Sequence, residues 1–149
     1  MEAGSAGLRP RDLAAMIMPL GRALVRAEEP VLAAHGLTMW GYSVLLALRD
    51  RPAGSQAALA AYIGADKTRL IAILDDLQQR GLIERHPDPA DRRSHLLAIT
   101  PAGRLTCTNT QQQIQHQEDT RLAQLPPADR ETFLHALEVL TAPRREEPR

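Results

Sequence analysis

Two adjacent arginines in a polar, turn-forming stretch are the residues of this chain best suited to chemistry. The segment Asp88-Pro89-Ala90-Asp91-Arg92-Arg93-Ser94-His95 is dense in charge and proline, and the apolar run Leu96–Ile99 follows it. The chemistry on offer is anion recognition. An arginine fork donates several N–H groups to phosphate oxygens or base edges, and no covalent bond is made or broken. A second basic group, Lys67-Thr68-Arg69, stands upstream at the start of a segment with helical periodicity. An arginine loop beside a helix suits insertion into a negatively charged groove, so nucleic acid is the expected partner.

Other chemistries find no support. There is no glycine-rich phosphate loop, nucleophile motif or acid–base pair, so no enzymatic activity and no cofactor are expected. His86, His95, His116 and His135 are scattered without paired-ligand spacing, so no metal site is expected. Cys107 is the only cysteine, which excludes an intramolecular disulfide and fits a reducing compartment. It lies between Thr106 and Thr108, one turn after Arg104, a cation able to lower its pKa. A redox-responsive role through Cys107 therefore stands as an alternative beside an inert helix residue.

The totals bound the rest. The 149 residues suffice for one domain with a core, and 44% are apolar but only 3% aromatic, a Leu/Ile/Val/Ala/Met mix that favours helices. Eighteen basic side chains balance eighteen acidic ones, so a nucleic-acid surface must be a local patch. No apolar stretch is long enough to span a membrane, and the N-terminus shows no secretory pattern, so a cytoplasmic protein without a membrane partner is expected.

The elements that hold these residues read mainly as helices. Leu13, Ile17, Leu20, Leu24 and Val25 predict a first helix from Pro10 to about Ala34, broken by His35-Gly36. Thr38 caps a second, with Val44, Leu45 and Leu48 inward, ending at Asp50-Arg51-Pro52-Ala53-Gly54. Ser55 caps a short third helix with Leu59 and Ile63 inward, and Gly64 stops it. Asp66 then caps a fourth, striped by Leu70, Ile73, Leu74 and Leu77 and closed by Gly81. Two short helices around a glycine turn make a helix-turn-helix. Leu82–Arg85 and Leu96–Ile99 flank the arginine loop as a β-hairpin. Thr100-Pro101 opens a long helix to about Leu125, and Pro126-Pro127 a last one bearing Phe133, Leu134, Leu137 and Leu140. The polar ends, 1–7 and 143–149, are expected to fray.

The stripe on the fourth helix sets its free face. At 100° per residue, Thr68, Ala72, Asp75 and Gln79 lie opposite Leu70, flanked by Arg69 and Ile71. The first turns of such a helix read bases, so Lys67, Thr68, Arg69 and Ala72 are the candidate DNA-binding residues. Arg69 suits a guanine edge, a contact worth roughly 1–3 kcal/mol of discrimination. Thr68 and Ala72 suit a thymine methyl, and Lys67 a phosphate. Asp75 would repel phosphate and is expected to pair with a basic side chain of its own chain.

The chain resembles the MarR family of bacterial winged-helix regulators. Asp91, Arg93, Ile99, Thr100 and Gly103 match the family's wing signature, Asp-x-Arg, five residues, Leu-Thr, then Gly three positions on, with Ile in place of Leu. Leu59-Ala60, Leu74, Leu77 and Arg80-Gly81-Leu82-Ile83-Glu84-Arg85 match the elements before the wing, and the likeness covers residues 8–142. The implied fold is mainly α with a small β-hairpin wing (α+β), a winged helix-turn-helix with N- and C-terminal dimerisation helices. Its parts would be a first dimerisation helix at 8–36, a DNA-binding lobe at 37–103, and long and C-terminal dimerisation helices at 104–142.

The resemblance also implies roles. Arg93 would enter the minor groove, oriented by a charge-assisted hydrogen bond that the Asp91 carboxylate accepts, with Arg92 on phosphate and His95 as a further phosphate contact. Leu8, Leu13, Ile17, Leu20, Phe133, Leu137 and Leu140 would form the homodimer seam. The dimer would bind a palindromic double-stranded operator, most often as a repressor. A small, often aromatic or phenolic, effector would bind between dimer arms and DNA lobes, where Trp40, Tyr42, Met16 and Met18 are the candidate lining. The competing class, a winged-helix protein-interaction adaptor, would be marked by loss of the wing arginines, and these are present.

Overall fold

The computed structural model describes residues 12–51 and 54–142, so Leu8, Pro10 and the two chain ends lie outside the described residues. The elements run α1 (Leu13–Ala34), α2 (Met39–Asp50), β1 (Gly54–Ser55), α3 (Gln56–Ile63), α4 (Lys67–Gln79), β2 (Ile83–Asp88), β3 (Asp91–Ile99), α5 (Pro101–Leu122) and α6 (Pro127–Thr141). Contacts group the chain into one unit ending at Gln113 and another from Ile114 onward.

Short-range hydrogen bonds start the helices. Thr38 Oγ1 accepts the Gly41 N–H at 3.1 Å, Ser55 Oγ that of Ala58 at 3.1 Å, and Asp66 Oδ1 that of Arg69 at 2.8 Å. Each such cap contributes about 1 kcal/mol. The first helix departs from expectation. It opens at Leu13, where Asp12 Oδ1 accepts the Ala15 N–H at 3.2 Å, because a side-chain acceptor sets the start more firmly than a proline upstream. The turn between α3 and α4 depends on Gly64, whose φ of +72° is a left-handed conformation that a side chain would strain.

Apolar stripes from these helices close on one another in the first unit. Val44, Leu45, Leu70, Leu74, Leu77, Ile83 and Leu97 are essentially removed from solvent, each contributing roughly 1.5–3 kcal/mol by burial. Ile63 and Ile73, both expected inward, are only half-buried. On α6 no residue is buried. No single helix among the described residues is long and apolar enough to cross a membrane.

The sheet is larger than the expected hairpin. It has three antiparallel strands in the order β1-β3-β2, with Gly54 paired to Leu97 and Ser55 to Leu96. A two-residue strand is too short to show any alternation in sequence. The hairpin arms are also longer than the apolar runs. Polar residues from His86 to Asp88 and from Asp91 to His95 are strand, leaving Pro89-Ala90 as the turn. Exposed arms need only backbone pairing, and Pro87 is tolerated because β2 is an edge strand.

Candidate nucleic-acid interface

The candidate surface begins where Asp66 fixes the first turn of α4. Leu70, Leu74 and Leu77 bury one side of this helix, which leaves Lys67, Thr68, Arg69 and Ala72 exposed. Ile71 is also exposed, although it is a large apolar side chain. Its place off the apolar stripe was visible from spacing alone and suits contact with a thymine methyl. Asp75 finds the basic partner expected of it, with its Oδ1 2.7 Å from Arg85 Nη1 on β2. That pair offsets the charge of Asp75 and ties α4 to the hairpin.

The wing arginines owe their position to the hairpin's register. Pairing jumps from Pro87↔His95 to Asp88↔Asp91, so Arg92, Arg93 and Ser94 have no partner on β2 and bulge from the ladder. Asp91 organises this bulge. Its Oδ1 accepts the Arg93 backbone N–H at 3.0 Å and its Oδ2 the Ser94 hydroxyl at 2.9 Å. These two bonds, the Arg93 one foremost, hold the Asp91 carboxyl below its usual range. The carboxylate thus grips the main chain of Arg93, where a bond to the guanidinium was expected. Arg92, Arg93 and His95 are all exposed.

The far end of the wing is fixed by Thr100 and Gly103. Thr100 Oγ1 donates to the Gly81 carbonyl at 2.6 Å and accepts the Gly103 N–H at 3.0 Å, so one hydroxyl caps α5 and locks it to the end of α4. Gly103 lies so close to β2 that an added Cβ would overlap the Leu82 carbonyl oxygen. The spacing from Asp91 to Gly103 therefore has a physical cause at each end: a bulge-forming carboxylate, a capping hydroxyl and a site without room for a side chain. A cleft of about 350 Å3 is lined by residues of β1, α3, α4 and the wing, among them Ala60, Leu70 and Ile71 and the basic side chains of Lys67, Arg93 and His95.

Charge pairing divides the cations. Arg49 binds Asp50, Arg85 binds Asp75, and Arg80 donates to the Gly36 carbonyl at 2.6 Å with Asp76 nearby. Among the described residues no carboxylate pairs with Lys67, Arg69, Arg92 or Arg93. The first turn of α4 and the wing thus carry four cations without a carboxylate partner.

Comparison with known proteins agrees with this geometry. The MarR family model matches residues 35–94. A putative transcriptional regulatory protein for the hcr operon of Thauera aromatica is 30% identical over 110 residues, covering 74% of this chain and 66% of that protein. The multiple antibiotic resistance protein MarR of Salmonella typhimurium is 31% identical over 120 residues, covering 74% of this chain and 83% of that one. This chain belongs to the MarR family. It is a MarR-family transcriptional regulator with a winged-helix fold. Among solved MarR-type structures, the repressor CouR bound to a 23-mer DNA duplex has a TM-score of 0.74 at 28% identity, covering 92% of this chain and all of that one. CouR of Rhodococcus jostii RHA1 bound to p-coumaroyl-CoA also gives 0.74, at 26% identity, covering 96% and 100%.

The MarR fold places the remaining candidates less neatly. Residues two apart on a helix point about 200° from each other, so neither Met16 with Met18 nor Trp40 with Tyr42 shares a face. Met16 and Met18 are exposed on α1, at 64% and 54%. Tyr42 is buried in the core at 7%. Trp40 is half-buried against the Arg69 guanidinium. The link between Trp40 and Arg69 had no local signal, because it joins α2 to α4.

Apolar exposure marks the ends of this MarR chain. Leu13 and Ile17 are exposed on α1 with Leu20 half-buried, while α6 exposes Leu137 and Leu140 with Phe133 half-buried. Leu8 of the expected seam is outside the described residues. Cys107 is fully buried, and burial pushes its thiol up, a pull that nearby Arg49 only partly opposes. A hidden, protonated thiol is a poor redox sensor, which weighs against the alternative built on it. Among the described residues no group of three or more His, Cys, Asp or Glu side chains could hold a metal ion.

Proposed function

We propose that this regulator is a homodimeric, sequence-specific DNA-binding repressor, acting in the cytoplasm and released from its operator by a small aromatic acid. The observation that carries this reading is the set of exposed cations without a carboxylate partner on α4 and the wing. Intramolecular pairing consumes the neighbouring arginines and Asp75, so a chain of zero net charge still presents a local positive face. In this reading Thr68, Ala72 and Arg69 select the sequence. Lys67, Arg92 and His95 meet phosphates, and Arg93, its backbone held by Asp91, enters the minor groove, where narrow A·T-rich stretches attract arginine. Lys67 also stands at a helix N-terminus, which favours anions.

The apolar residues left exposed on α1 and α6 support the dimer. Two-fold symmetry would then set two recognition helices on successive major-groove turns of an inverted repeat. The effector proposal is supported by CouR, described as a repressor and seen with both DNA and p-coumaroyl-CoA. The cleft between α4 and the wing has the matching chemistry, apolar side chains for a ring and the cations Lys67 and Arg93 for a carboxylate. An occupant there would compete with DNA for Arg93 and Lys67.

The test is selection of bound duplexes from a random pool by the purified protein, with and without hydroxybenzoic and hydroxycinnamic acids and their CoA thioesters. An enriched inverted repeat, lost when one of these acids is present, is the expected result. Enrichment of nothing, even at low salt, overturns the reading.

A further inference from the structure

Arg69 is held by a ring. Its guanidinium carbon lies 5.5 Å from the centroid of the Trp40 ring, within the range of a cation–π contact. Trp40 is the second residue of α2 and half-buried, so its ring is set by the fold before any ligand arrives. Arg69 occupies the third position of α4, on the flank away from Lys67 and Ile71, which line the wing cleft. The other arginines packed about α4 are engaged through their N–H groups, Arg85 with Asp75 and Arg80 with Gly36. Arg69 is different. Among the described residues its guanidinium makes no hydrogen bond or ion pair, so the ring holds the charge while its five N–H donors stay available.

We propose that Trp40 is a positioning residue for DNA recognition, fixing the Arg69 guanidinium on the α2 flank of the recognition helix with its donors uncommitted. An arginine free in solution must give up its rotamer freedom when it binds a base edge or phosphate. Here part of that ordering is already done by the ring. The proposal rests on the DNA-binding reading above and adds a residue that the family's wing and helix patterns do not include.

A double-mutant cycle on the duplex enriched by the wild-type protein tests it, with Trp40→Leu, Arg69→Ala and the pair. Trp40→Leu is expected to weaken binding by about two- to five-fold, the range of an exposed cation–π contact, in the Arg69 background only. Trp40→Phe, which keeps a ring, should stay within about two-fold of wild type. Trp40 is the only tryptophan, so its emission is a second readout that does not depend on the leucine variant folding. Arg69→Ala should change that emission in DNA-free protein, and wild-type emission should change when the duplex binds. Additive effects in the cycle, tighter binding by Trp40→Leu, or emission unmoved by Arg69→Ala would overturn the positioning role alone. A wild-type protein that enriches no duplex would overturn the DNA-binding reading and this role with it.

Discussion

Replacing Thr100 by valine isolates the joint between wing and α5. Valine matches threonine in shape, so no cavity forms and the change removes one oxygen. That oxygen donates to the Gly81 carbonyl at 2.6 Å and accepts the Gly103 N–H at 3.0 Å, in a residue only 8% exposed. Loss of an N-cap costs about 1 kcal/mol, and loss of the part-buried bond to the Gly81 carbonyl about 0.5–1.5 kcal/mol more. A total near ~2 kcal/mol, at roughly 2–4 °C per kcal/mol for a chain of this size, lowers the midpoint by roughly 4–8 °C. Urea and thermal unfolding followed by circular dichroism, at one protein concentration because association raises apparent stability, measure this directly. Thr100→Ser should recover most of the loss, since it keeps the oxygen. Gly103→Ala should be at least as harmful by a different route, because its Cβ would overlap the Leu82 carbonyl oxygen and lie 2.8 Å from Ile99 Cγ1. A valine variant within about 0.5 kcal/mol of wild type, where ordinary surface changes fall, would refute the assignment of the joint to these bonds.

The other predictions concern DNA, assembly and the thiol. Arg92→Ala should weaken binding to all sequences alike and reduce the slope of log affinity against log salt by about 0.9, the share of one phosphate contact; an altered base preference would contradict that role. Leu137→Glu with Leu140→Glu should give monomers by sedimentation and loss of operator binding, since both side chains are exposed on α6; an intact dimer would move the seam elsewhere. Cys107, buried and with its thiol pushed up, should react slowly with thiol reagents until urea is added. Its folded pKa lies above the unfolded one, so its contribution is complete below the unfolded value of about 8.5–9 and declines as pH rises beyond it. Cys107→Ala should therefore flatten the fall in urea midpoint between pH 8 and 10, and identical pH profiles would count against the burial argument.

Much of the scaffold was legible because its causes are local. Thr38, Ser55 and Asp66 each bond a backbone N–H three residues on, so residue type and distance along the chain sufficed to place three helix starts. The Leu70, Leu74 and Leu77 stripe is likewise a matter of helical period, and it assigned the exposed face of α4 correctly. The wing signature was legible as a pattern, although the reasons for it were not. Asp91 was expected to reach the Arg93 side chain, yet the bulge brings the backbone N–H closer. The hairpin arms outran their apolar runs, because strand pairing there satisfies backbone groups and buries little.

Sequence by itself determined the order of the helices and the hairpin, three helix caps, the core-facing stripe of α4 and the family of the chain. Only the tertiary structure decided which charges remain available for a partner. Arg85 lies ten positions from Asp75, Arg80 forty-four from Gly36, and Trp40 twenty-nine from Arg69, so no local rule could pair them. A charge's availability depends on what lies within a few ångströms of it, and that is a property of the fold.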